Sequence, residues 1–232
     1  MKSLIFSFLL FTSTMAVSQT ADGIVAKHLE SIGGIDNWNK INTSYTEITT
    51  DMGGVKVPIK MWQSHMKGMR VEFEIQGMTG IQVITDKDGW SLMPFMGKAD
   101  PEPTNEEQLK MAQSQLDLRG QLVDYASKGS TIEYLGEDEV EGVEVFKIRL
   151  TDKNKTETNY FMDKENYYIV KSTTKTTFQG QEVENTTVYS NYKKVDNVFF
   201  PFSMNGQMGQ VDIQKLELNP KIDEAIYKMP TK

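Results

Sequence analysis

NTSYTEITTDMGGVKVPIKMWQSHMKGMRVEFEI, running from Asn42 to Ile75, changes face at every residue. Val55, Val57, Ile59 and Met61 point one way, and Lys56, Pro58, Lys60 and Trp62 the other. Met69, Val71, Phe73 and Ile75 then alternate with Arg70, Glu72 and Glu74. A period of two with one apolar and one polar side marks antiparallel strands whose sheet has one solvated face. Met52-Gly53-Gly54 reads as a hairpin turn. Pro58 has no N–H for a ladder, so its strand is expected to be an edge or to bulge there.

The pattern continues on the C-terminal side. Ile81 and Val83 extend the meander, and Asp86-Lys87-Asp88-Gly89 turns it toward Trp90. The second half reads as strands near 131–135, 143–150, 157–162, 167–178, 181–192, 198–204 and 208–218, joined by turn-like pairs such as Glu141-Gly142 and Asp196-Asn197. Helical periodicity is confined to two places. Near the start, Ile24, Val25, His28, Leu29 and Ile32 form one stripe, with Thr20 or Asp22 as cap and Gly33-Gly34 as stop. A short turn then brings in Trp38. In the middle, NEEQLKMAQSQLDLRGQLVDYASKG carries a stripe of Leu109, Ala112, Leu116 and Val123, widened by Leu118, Leu122 and Tyr125; Thr104 and Glu107 stand at capping-box spacing, and Gly120 can split the run in two. The end, NPKIDEAIYKMP, is expected to be a short closing turn whose Ile226, Tyr227 and Met229 pack onto the sheet. The expected fold class is α+β: one large curled antiparallel sheet of about ten or eleven strands, covered on its concave face by helices.

Composition narrows the function. The 232 residues carry a net charge of −7 with no cysteine. No dense Lys/Arg cluster is present, so nucleic acid is not an expected partner. The first 18 residues read as a cleaved export signal: Lys2, the apolar run Leu4 to Phe11, then small residues Ala16 and Ser18 before the cut. Residues 19–232 are expected to form one periplasmic domain, soluble after cleavage and without an acyl-bearing cysteine. His28 and His65 are the only histidines. His28 reads as a helix-surface or edge-of-core residue and His65 as a solvated turn residue; neither belongs to a metal motif, and no metal or cofactor is expected. Glu72 and Glu74 read as the wet side of a strand, and no nucleophile elbow is present, so no catalytic residue is proposed. What stands out is soft apolar surface. There are 14 methionines, and the cluster Trp90, Leu92, Met93, Pro94, Phe95, Met96 does not alternate. It fits either core or the mouth of a cavity for a greasy ligand.

These features together resemble the periplasmic outer-membrane lipoprotein-sorting proteins, LolA, LolB and their relatives, most of all the branch common in Bacteroidota. The resemblance is carried by the export signal, the helix ending in IGG with Trp38 beyond it, VKVPIKMWQ, MRVEF, and KDGWSLMPF with Asp88-Gly89-Trp90 and Pro94-Phe95. The helical insertion and the tail Ile226 to Pro230 complete it. It implies an unclosed barrel with helices in its mouth and a hollow for acyl chains. Val55, Val57, Ile59, Met61, Val71, Phe73, Ile75 and Val83 would then face the hollow. Trp90, Met93, Phe95 and Met96 would stand at its rim, and Leu109, Leu116, Leu122 and Val123 would be lid contacts. Carriers place an Arg-Pro pair where this chain has His65-Met66; His65, Lys67 and Arg70 would serve partner contact and cargo transfer. The implied partners are an acylated lipoprotein or other amphiphile, an inner-membrane release complex and an outer-membrane receptor. The alternative is an envelope sensing or protein-binding module on the same fold.

Overall fold

A computed structural model of the protein describes residues 19–178, 181–207 and 209–230. Strand β1 (Thr43–Met52) turns through Gly53-Gly54 into β2 (Val55–Ser64). Both glycines have positive φ, 66° and 88°, which a two-residue hairpin matched to strand twist requires. The meander continues through β3 (Gly68–Ile75), β4 (Met78–Thr85), β5 (Gly89–Met93) and β6 (Lys98–Pro103). A second meander runs through β7 (Thr131–Val140), β8 (Val143–Thr151), β9 (Glu157–Asp163), β10 (Ile169–Phe178), β11 (Gln181–Val195), β12 (Val198–Gly206) and β13 (Gly209–Leu218). The two join where β13 pairs with β1, from Ser44↔Leu218 to Thr50↔Val211, with a bulge between Glu47 and Ile48. The result is one antiparallel sheet in the order β6-β5-β4-β3-β2-β1-β13-β12-β11-β10-β9-β8-β7. β6 and β7 do not pair with each other, so the barrel is unclosed.

Thirteen strands rather than ten or eleven reflect two features. The proline-rich sequence 98–103, not read as a strand, pairs with β5 at Trp90↔Pro103 and Ser91↔Glu102. It can do so because it is an edge strand, whose prolines need no second ladder. The stretch Gly89–Met93, whose apolar residues do not alternate with polar ones, also forms a strand, while the second half has the seven strands expected. Pro58 acts differently from either expectation. β2 is internal, but its ladder to β3 ends at Ile59↔Phe73, one residue short of Pro58, while the ladder to β1 continues to Met52↔Val55.

Helices cover one face. Helix α1 (Ala21–Ser31) is capped by Thr20, whose side chain accepts from the Gly23 N–H. Its Ile24 and Val25 pack with Leu122 against Phe146, Ile148, Leu150 and Met162 of β8 and β9. Helix α2 (Ile35–Trp38) follows a turn at Gly33, where an added Cβ would lie 2.2 Å from the Asn197 carbonyl oxygen, so only glycine fits there. The middle insertion is far less helical than its period suggests. Helix α3 (Glu106–Ala112), capped by Asn105 rather than Thr104, passes into a 3-10 turn at Gln113–Leu116 and stops. Asp117 leaves helical dihedrals, and Gly120 and Asp124 take positive φ. The chain from 117 to 129 is held instead by side chains: Lys128 Nζ donates to Asp117 and to the Gly120 carbonyl.

The opposite face carries its own apolar cluster. Val83 and Trp90, neighbours across β4 and β5, are buried with Tyr227 and flanked by Leu92, Ile222 and Ile226. The closing 3-10 turn Glu224–Tyr227 lies over them. Trp90 Nε1–H donates to the Tyr227 carbonyl at 2.9 Å, and the Tyr227 hydroxyl bonds with Ser64 Oγ. Replacing Tyr227 by Ala opens a cavity over Val83 and Trp90, and is expected to cost about 3 kcal/mol in urea unfolding with a red-shifted tryptophan emission. An unchanged midpoint would show that the tail contributes no stability.

Candidate functional site

Strand register sorts the expected binding residues. Val57, Ile59 and Met61 stand opposite Thr50, Ile48 and Thr46 of β1, and Ile59 and Met61 stand opposite Phe73 and Val71 of β3. Val55 belongs to the same row but lies at the hairpin tip, 64% exposed. Ile75 continues the row in β3. Phe95, in the 3-10 turn Pro94–Met96, folds back edge-on to Phe73 at 5.7 Å over Gly80, where a Cβ would sit 2.6 Å from the Phe73 ring. Leu109 and Leu116 pack with Met61, Met69, Val71 and Ile84, so the helical insertion fills this part of the concave face. Met93 and Met96 border a recess of about 590 Å³ between β4–β6 and α3, whose other walls include Gln82, Ser91 and Gln108.

Two of the expected residues lie on the other face. Val83 and Trp90 point away from Ile84 and Gly89, their neighbours in sequence, and are sealed under the C-terminal turn. The cause is parity: Ile84 faces Leu116, so Val83 cannot. The basic residues are also engaged. Arg70 pairs with Glu72, donates to the Ile226 carbonyl at 2.8 Å and lies over the Trp90 ring. Lys67 pairs with Glu224. Both therefore pin the tail. His65 is not a solvated turn residue. Its Nδ1 is buried 3.6 Å from Asp117, beyond hydrogen-bond reach, and burial lowers its pKa.

Leu122 and Val123 line a different space, a pocket of about 240 Å³. It lies beneath α1 and α2, between the 119–123 segment and the strands β9 to β12. Trp38, Tyr160, Tyr189, Tyr192 and Phe199 supply its aromatic walls. Each tyrosine hydroxyl is occupied: Tyr160 donates to Gln121 Oε1, Tyr192 to the Ile169 carbonyl, and Tyr189 bonds with Ser172 Oγ. The rings can therefore face an apolar guest without an unpaired hydroxyl. Burial raises the pKa of Tyr160 and Tyr192. Sequence reasoning missed this wall. Tyr189 and Tyr192 have opposite parity, which a period of two assigns to opposite faces, yet both line the pocket; between them Asn191 takes φ 55° inside β11.

Among the described residues no group of three or more His, Cys, Asp or Glu could hold a metal, and no helix is long and apolar enough to cross a membrane.

No family model matches the sequence, and no curated protein matches it. Solved structures do resemble its fold. A LolA superfamily protein from Nitrosomonas europaea superposes with a TM-score of 0.59 at 13% identity, over 91% of this chain and 98% of that one. A DUF1329 family protein from Desulfovibrio piger gives 0.59 at 12% identity, over 90% and 97%. A putative outer membrane lipoprotein-sorting protein domain from Vibrio parahaemolyticus gives 0.52 at 15% identity, over 90% and 95%. The chain thus has the LolA-like unclosed-barrel fold.

His28 also lines the pocket, and it is core rather than helix surface. Its Nδ1 bonds the Tyr167 carbonyl at 2.8 Å, so that nitrogen carries the proton. Burial pushes its pKa down to about 4 from 6.5, the hydrogen bond offsetting only part. Below pH 6.5 the unfolded chain takes up a proton that the folded chain refuses, so stability falls with pH until the folded imidazole itself titrates near 4. The loss across that window is expected to be about 3 kcal/mol. His28→Asn keeps a donor for Tyr167 and should flatten the dependence in urea titrations between those pH values. An equally steep slope in the variant would assign it to other groups.

Proposed function

We propose that this protein is a periplasmic carrier or binding protein of the LolA type, in its Bacteroidota-like branch, that holds the acyl chains of lipoproteins or another amphiphile. It reaches the periplasm through a signal cleaved after Ser18, and its role is binding rather than catalysis. The observation that carries the reading is the aromatic pocket beneath α1 and α2, with every tyrosine hydroxyl turned to a protein partner. The half-buried row Ile59, Met61, Val71 and Phe73 on the same sheet adds apolar surface. The fold shared with a lipoprotein-sorting domain is consistent with this.

Magnitudes limit what the pocket does alone. At about 240 Å³ it falls just below the roughly 300 Å³ at which small-ligand pockets begin. Burying about nine methylenes at about 0.8 kcal/mol each yields about 7 kcal/mol, from which association costs of at least about 4 kcal/mol are subtracted, so the pocket by itself binds weakly. Longer chains need either the neighbouring row of apolar residues or outward movement of the 119–123 segment. That segment is tied down chiefly by side chains, Arg119 to Ile41 and Tyr160 to Gln121. It can therefore yield without breaking a strand ladder, and a partner with a better cavity would then draw the cargo out.

Protein purified from its own envelope should release acyl-bearing molecules on organic extraction, identified by mass spectrometry. Leu122→Trp, which fills the pocket, should reduce their yield at least tenfold while the fold persists by circular dichroism. Ligand-free protein from that source would sink the carrier reading and favour a protein-binding role.

A further inference from the structure

We propose that the pocket selects amphiphiles with an anionic headgroup, a carboxylate or a phosphate monoester, and that Arg119 binds this headgroup at the pocket edge while the alkyl tail lies among the aromatic walls. The proposal rests on the apolar-ligand reading above and names the ligand's polar end.

Among the described residues, Arg119 is the one formally charged residue that lines the pocket; His28, a titratable base there, is held neutral by burial. Arg119 is half-buried, and a half-buried cation next to apolar surface ordinarily has a carboxylate partner. This one has none within ion-pair distance among the described residues. Its hydrogen bonds all go to neutral oxygens and are long: Nε to the Ile41 carbonyl at 3.2 Å, Nη1 to Asn39 Oδ1 at 3.2 Å, and Nη2 to Asn42 Oδ1 at 3.3 Å.

The nearby carboxylates are engaged elsewhere. Asp117 takes Lys128 at 2.5 Å and lies beside His65. Asp124 accepts from the Asn39 amide, so it reaches the arginine only through that side chain.

A guanidinium has five N–H donors, and three are used, which leaves two. The three neutral contacts fix the plane of the group and keep its charge available. A planar cation with spare donors recognises carboxylate or phosphate, and at a desolvated edge the pairing is stronger than in water. The polar end of the guest is therefore where this pocket discriminates. Gln121, beside Arg119, does not compete, because its side-chain oxygen is already taken by Tyr160.

The test is calorimetric titration of the mature wild-type protein with decanoate, decyl phosphate and decanol, below their aggregation thresholds and at a pH where the anions are ionised. At least one anion should bind ten times more tightly than decanol, and added salt should shrink that preference. The comparison between the two anions tells a free fatty acid from a phospholipid-like headgroup. Arg119→Gln should abolish the preference and leave decanol within about twofold, whereas Arg119→Lys should retain part of it. If decanol matches both anions in the wild type, the headgroup assignment is overturned while the apolar pocket stands. If none of the three binds, the apolar-ligand reading falls and takes this one with it. If Arg119→Gln weakens all three ligands alike, Arg119 only ties the 119–123 segment to Ile41, and the assignment is likewise overturned. Should that variant fail to fold, the wild-type anion-to-alcohol ratio and its salt dependence decide alone.

Discussion

The antiparallel seam between β1 and β13 is the constraint on which the rest of the structure depends. Each meander by itself is built from neighbouring hairpins, and such contacts close short loops at small entropic cost. The seam joins the two meanders into one ladder, from Ser44↔Leu218 to Thr50↔Val211. Once it forms, β6 and β7 are placed at the far margins of one sheet. A sheet of thirteen twisted strands cannot remain flat, and its concave side must be covered or left wet. Here α1, α2 and α3 cover it in pieces, and the pocket lies where the α1–α2 pair and the 119–123 segment meet the sheet.

The two faces divide the work. On the helical face, packing is dense around Leu116, Ile148 and Leu150, and looser under the 119–123 segment, where tyrosines rather than aliphatic side chains form the wall. On the other face, the tail residues Ile222 to Tyr227 close over Val83 and Trp90, with Arg70 and Lys67 as fasteners. Basic residues that by position suggest contact with a partner thus hold the chain's own C-terminal end. Buried polar groups follow the same economy. His28 donates a hydrogen bond to the Tyr167 carbonyl, Tyr160 and Tyr192 donate to Gln121 and to the Ile169 carbonyl, Tyr189 bonds with Ser172, and Trp90 donates to the Tyr227 carbonyl. A site for apolar cargo is workable only if such groups are satisfied by protein, because a hydrocarbon guest offers them nothing.

The sequence by itself determined the strands β1 to β4, the glycine hairpin at 53–54, the N-terminal helix and the closing turn at 224–227, because each rests on local chemistry: a period of two, a positive φ, an apolar stripe ending in glycine, a short apolar tail. Tertiary structure decided the rest. The apolar stripe of 105–129 was legible but the early end of its helix was not, since Gly120 and Asp124 take positive φ and Lys128 reaches back to Asp117 and the Gly120 carbonyl, contacts that no period records. Trp90 was legible only as core or cavity mouth; that it is buried, and on which face, depends on a tail more than a hundred residues away. The pocket's tyrosines were invisible because Asn191 interrupts the alternation, and Arg119 because a charge is recognised as uncompensated only when its neighbours in space are known. Periodicity reports the faces of single strands; a cavity forms between elements distant in sequence, and its chemistry is set by which faces the fold brings together.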